Sequence, residues 1–161
     1  MRQTLARKVA ETEPAPAENA PRTTQYGSRG ASLGLGARAT GDLIHAVQRG
    51  LPFKALEHFA EETGLSTARI ASLIEIPERT LARRRVTGRL GPDESERLLR
   101  VSGVYEKTVQ LFDGDMRAAL NWLTTPKKAL GNRTPLEYSR FDLGARDVET
   151  MIGRLEHGVF V

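Results

Sequence analysis

The chain has 161 residues, of which 39% are hydrophobic and 27% are charged, and it carries a formal net charge of +4. This length fits one domain or two small ones, and the composition is too apolar for a chain that is disordered throughout. The lack of cysteine excludes disulfides, Cys-ligated zinc sites, iron–sulfur clusters and thiol nucleophiles. No apolar run approaches the roughly 20 residues of a membrane-spanning helix. We therefore expect a cytoplasmic protein that does not enter a membrane.

Residues 1–40 are predicted to form a flexible or disordered tail. Pro14, Pro16 and Pro21 interrupt any helix there, and five glycines fall between Gly27 and Gly41. Such a composition offers little apolar surface to bury.

From Thr40 onward the apolar residues recur at helical spacing, with no alternating strand and no internal repeat. The fold class is therefore predicted to be all-α. Pro52 suits a helical first turn and Ser66 suits an N-cap. Residues 134–137 (Thr-Pro-Leu-Glu) form a capping box with proline at the first helical position, which predicts a helix start there. Gly103 is predicted to break or kink the helix that begins at Asp93. The apolar stripes are Leu43, Ile44 and Val47; Phe53, Leu56 and Phe59 or Ala60; Ile70, Ala71, Leu73 and Ile74; Leu98, Leu99 and Val101; Tyr105, Val109 and Phe112; Met116, Ala119, Leu120 and Leu123; and Val148, Met151, Ile152 and Leu155.

A helix-turn-helix pattern covers residues 67–84. The small Ala71 permits a close helix crossing, and Pro77 fixes the entry of the second helix. The residues that would fill the angle between the two helices are Ile70, Ile74, Ile76 and Leu81. The turn position that often holds glycine is Glu75, which fits if the turn avoids a left-handed conformation. A tight helical corner with no nucleic acid nearby is the alternative interpretation.

Between Pro77 and Leu90 the sequence has five arginines and a single acid, which is the largest local positive charge of the chain. Arg79 and Arg83 share a helix face and could each form a bidentate pair with guanine. A merely solvated helix face is the alternative. The predicted DNA-contacting residues are Glu78, Arg79, Thr80, Arg83, Arg84, Arg85 and Arg89, with Arg84, Arg85 and Arg89 assigned to phosphates.

The sequence gives little support for catalysis. His45, His58 and His157 are scattered, and no Gly-x-Ser-x-Gly motif is present. Residues 113–115 (Asp-Gly-Asp) are interpreted as a turn, because the further ligands of a calcium loop do not follow. We expect no enzyme activity, no cofactor and no metal site.

Two sets of motifs resemble known domains. RTLARRR (79–85), GRL (88–90) and ESERLLR (94–100) resemble the N-terminal domain of Xre-type antitoxins. WLTTP (122–126), ALGNRTPL (129–136) and GARDVETMIGRLEHGV (144–159) are similar to the Xre/MbcA/ParS toxin-binding domain. The resemblance divides the chain into a helix-turn-helix Xre-like domain at 41–102 and a toxin-binding domain at 103–161.

This resemblance implies an antitoxin of a RES–Xre toxin–antitoxin pair. In that family the antitoxin dimerises, masks the active site of a RES-domain toxin that degrades NAD, and represses the shared promoter. Because helix-turn-helix dimers bind half-sites about one helical turn apart, we also expect a homodimer on palindromic operator DNA, and a higher-order complex with the toxin. The alternatives are a dimeric transcriptional regulator with no toxin partner and a protein scaffold that never binds DNA.

The toxin contacts are predicted at the last helix and the apolar end of the chain. Burying the apolar end in a partner cleft would be favourable, and packing on its own domain or on a dimer mate is the alternative. Trp122 is either a core residue or an interface anchor. The predicted toxin-binding residues are Trp122, Arg154, Glu156, His157, Gly158, Val159, Phe160 and Val161.

Overall fold

The computed structural model describes residues 26–36 and 38–158, and within them it contains eight α-helices and no strand. The all-α prediction is confirmed. The helices are α1 (Thr40–Gln48), α2 (Phe53–Thr63), α3 (Thr67–Leu73), α4 (Glu78–Thr87), α5 (Pro92–Leu111), α6 (Met116–Thr124), α7 (Pro135–Tyr138) and α8 (Asp142–Glu156). Two short 3-10 helices lie at Ala31–Leu33 and Lys128–Leu130.

Helix α5 is the centre of the fold. It packs against α1, α6 and α8. Its inward residues, Leu98, Val101, Val104, Tyr105 and Val109, are almost fully buried. Burial on several sides stabilises this helix over its whole length, since apolar area removed from water contributes roughly 25 cal/mol per Å².

The predicted break at Gly103 is wrong, because α5 runs without interruption from Pro92 to Leu111. Gly103 is buried within the helix, and a Cβ there would lie 3.5 Å from Nε of Arg29. Glycine inside a helix costs only about 1 kcal/mol relative to alanine, which the packing on both sides offsets. The predicted boundary between residues 102 and 103 therefore falls inside one continuous helix.

Residues 26–36 contradict the prediction of a flexible tail that extends to residue 40. Tyr26, Leu33 and Leu35 are buried in the core. This segment, which we call the N-terminal strap, contacts both α2 and α5. The rest of the predicted tail, residues 1–25, lies outside the described residues.

Glu106 of α5 holds the strap in place. Its carboxylate accepts hydrogen bonds from the backbone N–H groups of Gly30 and Ser32, at 3.2 and 2.9 Å, and from the Ser32 hydroxyl at 2.6 Å. Burial raises the pKa of this carboxyl, although the hydrogen bonds from Ser32 and Gly30 act in the opposite direction. The strap also donates from the Tyr26 hydroxyl to Glu62 of α2 at 2.8 Å. The strap is thus bonded to two helices that are distant in sequence.

Several local expectations are confirmed. Ser66 caps α3, because its hydroxyl accepts a hydrogen bond from the Arg69 backbone N–H at 3.1 Å. Thr134 caps α7 in the same way, with the Glu137 N–H at 3.1 Å. One stripe position is wrong: Ile44 is 53% exposed, and only its neighbour Leu43 is buried on α1.

In the described part of the chain, none of the helices has both the length and the apolar composition needed to cross a bilayer.

Candidate nucleic-acid and partner-binding sites

Helices α3 and α4 form the predicted helix-turn-helix. The small Ala71 is 2% exposed at the crossing of the two helices. The residues predicted to fill the angle, Ile70, Ile74, Ile76 and Leu81, are all buried. Pro77 directly precedes α4 in an extended conformation, as expected for an entry residue. The packing that fixes the angle of a helix-turn-helix is therefore present.

The turn between the two helices is left-handed at Glu75, whose φ is 59°. This corrects the expectation that glutamate requires a turn without that conformation. The turn is closed by hydrogen bonds from the Glu75 N–H to Ser72 O at 3.2 Å and from the Ile76 N–H to Ala71 O at 2.8 Å. A non-glycine residue in this conformation costs roughly 1–2 kcal/mol. The buried isoleucines on both sides hold the turn in place despite that cost.

The outward side of α4 carries Arg79, Ala82, Arg83 and Val86, all exposed, and we call it the recognition face. Arg79 and Arg83 form no ion pair with any described residue. Val86 is 88% exposed. Glu78 is exposed at the start of the same helix, and Thr80 is half-buried. This face can present two unpaired guanidinium groups to a ligand.

Arg84 is occupied within the protein. Its Nε donates to Glu94 Oε2 at 2.8 Å and its second guanidinium nitrogen donates to Oε1 at 3.0 Å, with the two side chains 25% and 11% exposed. Burial alone would raise the pKa of Glu94, but hydrogen bonds from Arg84 and the Gly91 N–H bring it below its ordinary value. We therefore revise the assignment of Arg84 from a phosphate contact to a residue that fixes α4 on α5.

The two remaining arginines of the cluster are exposed and make lighter contacts. The Arg85 guanidinium lies 5.6 Å from the centroid of the Phe53 ring, within range of a cation–π interaction. Arg89 donates to Gly50 O at 2.7 Å. Both keep further N–H groups for a phosphate, so their predicted roles stay open.

Trp122 shares features of both predicted roles. It is half-buried and packs against the core, yet part of its ring is accessible. Lys127 Nζ lies 5.1 Å from the centroid of this ring, and burial lowers the pKa of that amine. A half-buried tryptophan that packs on its own core is compatible with either role.

The other predicted toxin contacts lie at the end of α8. Arg154, Glu156, His157 and Gly158 are exposed and adjacent along the chain. The predicted contacts at residues 159–161 lie outside the described residues.

A second exposed feature near α8 was missed in the sequence. Leu143, in the first turn of α8, is 78% exposed, and Phe141 just before the helix is 46% exposed. The signal was present, because the helical neighbours of Leu143 three and four residues on are Arg146 and Asp147. A leucine between charged residues faces outward and is available to a partner.

Residues 26–36 and 38–158 contain no group of three or more His, Asp or Glu side chains that could hold a metal ion. His58 is bonded to Ser32 O at 3.1 Å, while His45 and His157 are exposed. The Asp-Gly-Asp segment forms a turn in which Asp115 caps α6 through the Ala118 N–H at 2.9 Å.

Comparison with known proteins divides the chain into two domains. The family model of the antitoxin Xre-like helix-turn-helix domain matches residues 42–103, and that of the antitoxin Xre/MbcA/ParS C-terminal toxin-binding domain matches residues 107–158. A protein named Antitoxin Xre from Yersinia enterocolitica is 38% identical over 129 residues, covering 80% of this chain and 87% of the relative. An Antitoxin Xre from Photorhabdus laumondii is 32% identical over 123 residues, covering 75% and 83%.

Proposed function

Because the chain belongs to the antitoxin Xre family, we propose that it neutralises a RES-domain toxin that degrades NAD and represses the operon encoding both proteins. The observation that carries the proposal is the succession, in one chain, of a helix-turn-helix domain at 42–103 and a toxin-binding domain at 107–158. We assign a separate surface of the chain to each of these two tasks. One protein can therefore engage a toxin and an operator.

The DNA-binding part of the proposal rests on the recognition face. Arg79 and Arg83 are exposed and unpaired with described residues, as base-reading side chains must be before they meet DNA. Arg85 and Arg89 would contact flanking phosphates. A homodimer would place two such faces about one helical turn apart on a palindromic operator.

The toxin-binding part rests on α8 and its surroundings. Arg154, Glu156, His157 and Gly158 are exposed, and residues 159–161 continue from them. Trp122 is half-buried, and we add Leu143, which is 78% exposed, as an apolar contact. We propose that this surface covers the entrance of the toxin's active site.

The proposal requires no chemistry from the antitoxin itself. Masking an active site needs only a complementary surface, so we assign no catalytic step, cofactor or metal to this chain. Its place of action would be the bacterial cytoplasm, where the operon and the NAD pool are found.

The test is co-expression with the RES-domain protein encoded beside it, with growth and cellular NAD as readouts. We expect the full chain to restore both. The deletion of 157–161 and Leu143→Asp are compared with Arg117→Asp, an exposed residue on α6 that serves as the matched control. Loss of neutralisation in either test variant, with Arg117→Asp active and circular dichroism unchanged, supports the assigned surface.

Other outcomes contradict specific parts. Full neutralisation by both test variants would show that the toxin contact lies elsewhere. If the full chain does not restore NAD but still binds the operator, the protein is a dimeric transcriptional regulator without a toxin partner.

A further inference from the structure

A cleft of about 240 Å³ lies between the helix-turn-helix and the C-terminal half of the chain. Its walls come from α3 and from the segment 133–140, which contains α7. The lining residues are Arg69, Ser72, Leu73, Arg133, Glu137 and Arg140. Neither family domain contains the whole cleft, because three lining residues fall in each matched range.

The cleft is positively charged, with three guanidinium groups against one lining carboxylate. That carboxylate, of Glu137, lies 3.6 Å from Arg69, and Glu75 of the turn lies 3.8 Å from Arg140. Both separations exceed the 2.7–3.2 Å of ordinary N–H···O hydrogen bonds. The two carboxylates therefore attract the guanidinium groups without using their N–H donors.

Further donors in the cleft have no acceptor. Arg133 forms no ion pair with a described residue. Arg140 Nε is buried and has no hydrogen-bond partner within residues 26–36 and 38–158. A buried donor left unpaired costs about 1–3 kcal/mol, and the side chain that carries this donor lines the cleft.

We propose that a phosphate group of the operator backbone occupies this cleft, an inference that rests on the DNA-binding part of the proposed function. Guanidinium forks match the oxygens of a phosphate in bidentate fashion. When a recognition helix lies in the major groove, the preceding helix crosses the DNA backbone. Here the preceding helix is α3, which carries Arg69 and Ser72 into the cleft.

The consequence is that the toxin-binding domain takes part in holding DNA. Arg133 and Arg140 belong to the range matched by that domain, and they would grip the same phosphate as Arg69. The negative charge of Glu137 weakens the binding of that phosphate. The affinity for DNA is thus set by a balance of charges that lies partly outside the helix-turn-helix.

The test uses the full chain and a duplex of its own promoter over a range of salt concentrations. It compares two variants for which we expect opposite changes in the affinity for DNA. Arg133→Gln should weaken DNA binding roughly eightfold at 0.1 M salt. It should also reduce the salt slope, which is the slope of the logarithm of the binding constant against the logarithm of the salt concentration, by about 0.9, the value for one phosphate contact. Glu137→Gln should strengthen binding, because it removes a negative charge and keeps the backbone N–H that bonds to Thr134. Arg117→Gln, at an exposed position of α6, is the control for loss of charge.

The outcomes separate the two levels of inference. If the unaltered chain does not bind the duplex, the DNA-binding part of the proposed function fails. If it binds, but Arg133→Gln leaves the salt slope unchanged or Glu137→Gln weakens binding, the cleft assignment is overturned. Binding of inorganic phosphate is tested separately by broadening of its ³¹P resonance. If Arg133→Gln abolishes this broadening but leaves the salt dependence of DNA binding unchanged, the cleft binds a free anion and not a phosphate of the DNA backbone.

Discussion

Arginines on the two sides of α4 differ in their partners, although they are neighbours in sequence. Arg79 and Arg83 project outward without a described carboxylate, whereas Arg84 is held by Glu94 through a bidentate pair. One acid at the start of α5 therefore divides a cluster of arginines into an outward-facing part and a part that supports the fold. The sequence shows how many arginines are clustered there. Contacts in the folded protein decide which of their guanidinium groups are paired with a carboxylate.

The largest effect is expected from removing the outward arginines. The double variant Arg79→Ala, Arg83→Ala should lower affinity for the operator by about 30-fold or more, because each bidentate base contact contributes about 1–3 kcal/mol. The melting temperature should stay unchanged, since neither side chain has an ion-pair partner in the described chain. Fluorescence anisotropy on promoter and scrambled duplexes gives both affinity and specificity.

The control for this experiment is Arg117→Ala on α6, which removes an exposed charge far along the chain from α4. If the double variant binds the operator as tightly as the unaltered chain does, the recognition face does not contact the DNA bases.

A smaller effect, on stability, is expected from Arg84. Arg84→Met should lower the free energy of unfolding by about 2 kcal/mol, because Glu94 is left largely buried without its charged partner. Urea denaturation measures this, with Arg83→Met as the matched outward control. Equal stability of the two variants would mean that the division of α4 into two sides is wrong.

The same pair gives a dependence on pH. The pKa of Glu94 is lower in the folded protein than its ordinary value of 4.5, so its contribution to stability is present above that value and is lost as the pH falls through the folded-state pKa. In Arg84→Met this loss on acidification should be shallower. Urea midpoints measured between neutral and acidic pH test the difference in slope.

The smallest effect is expected at the turn. Glu75→Gly should raise the free energy of unfolding by about 0.5 kcal/mol, since glycine adopts a positive φ without steric cost but loses more entropy on folding. Glu75→Ala is the control, because it removes the carboxylate near Arg140 and keeps the backbone strain of a residue with a Cβ at positive φ. A Glu75→Gly variant less stable than Glu75→Ala would contradict the account of strain.

The sequence was sufficient where a structural signal is local. Apolar spacing predicted the helices, and hydroxyl residues in the right place predicted the caps at Ser66 and Thr134. The helix-turn-helix interior was predicted for the same reason, because its buried residues lie within one short segment. These features depend on neighbours three or four residues apart.

The sequence was insufficient where a partner is distant. The N-terminal strap lacks helical periodicity, and its anchor Glu106 lies 74 residues from Ser32. The occupation of Arg84 depends on Glu94, which lies in a different helix. The cleft joins Arg69 to Arg133 and Arg140 through tertiary packing alone. No rule of local spacing brings these pairs together.

The uninterrupted course of α5 gives the molecule a fixed internal geometry. The helix-turn-helix match ends at residue 103 and the toxin-binding match begins at 107, so the junction consists of buried helical residues. A helix of 20 residues is a rod of about 30 Å. Two domains that share one continuous helix lose fewer relative orientations when a ligand binds than two domains on a flexible linker do. The distance and angle between operator and toxin would then be a property of the antitoxin alone.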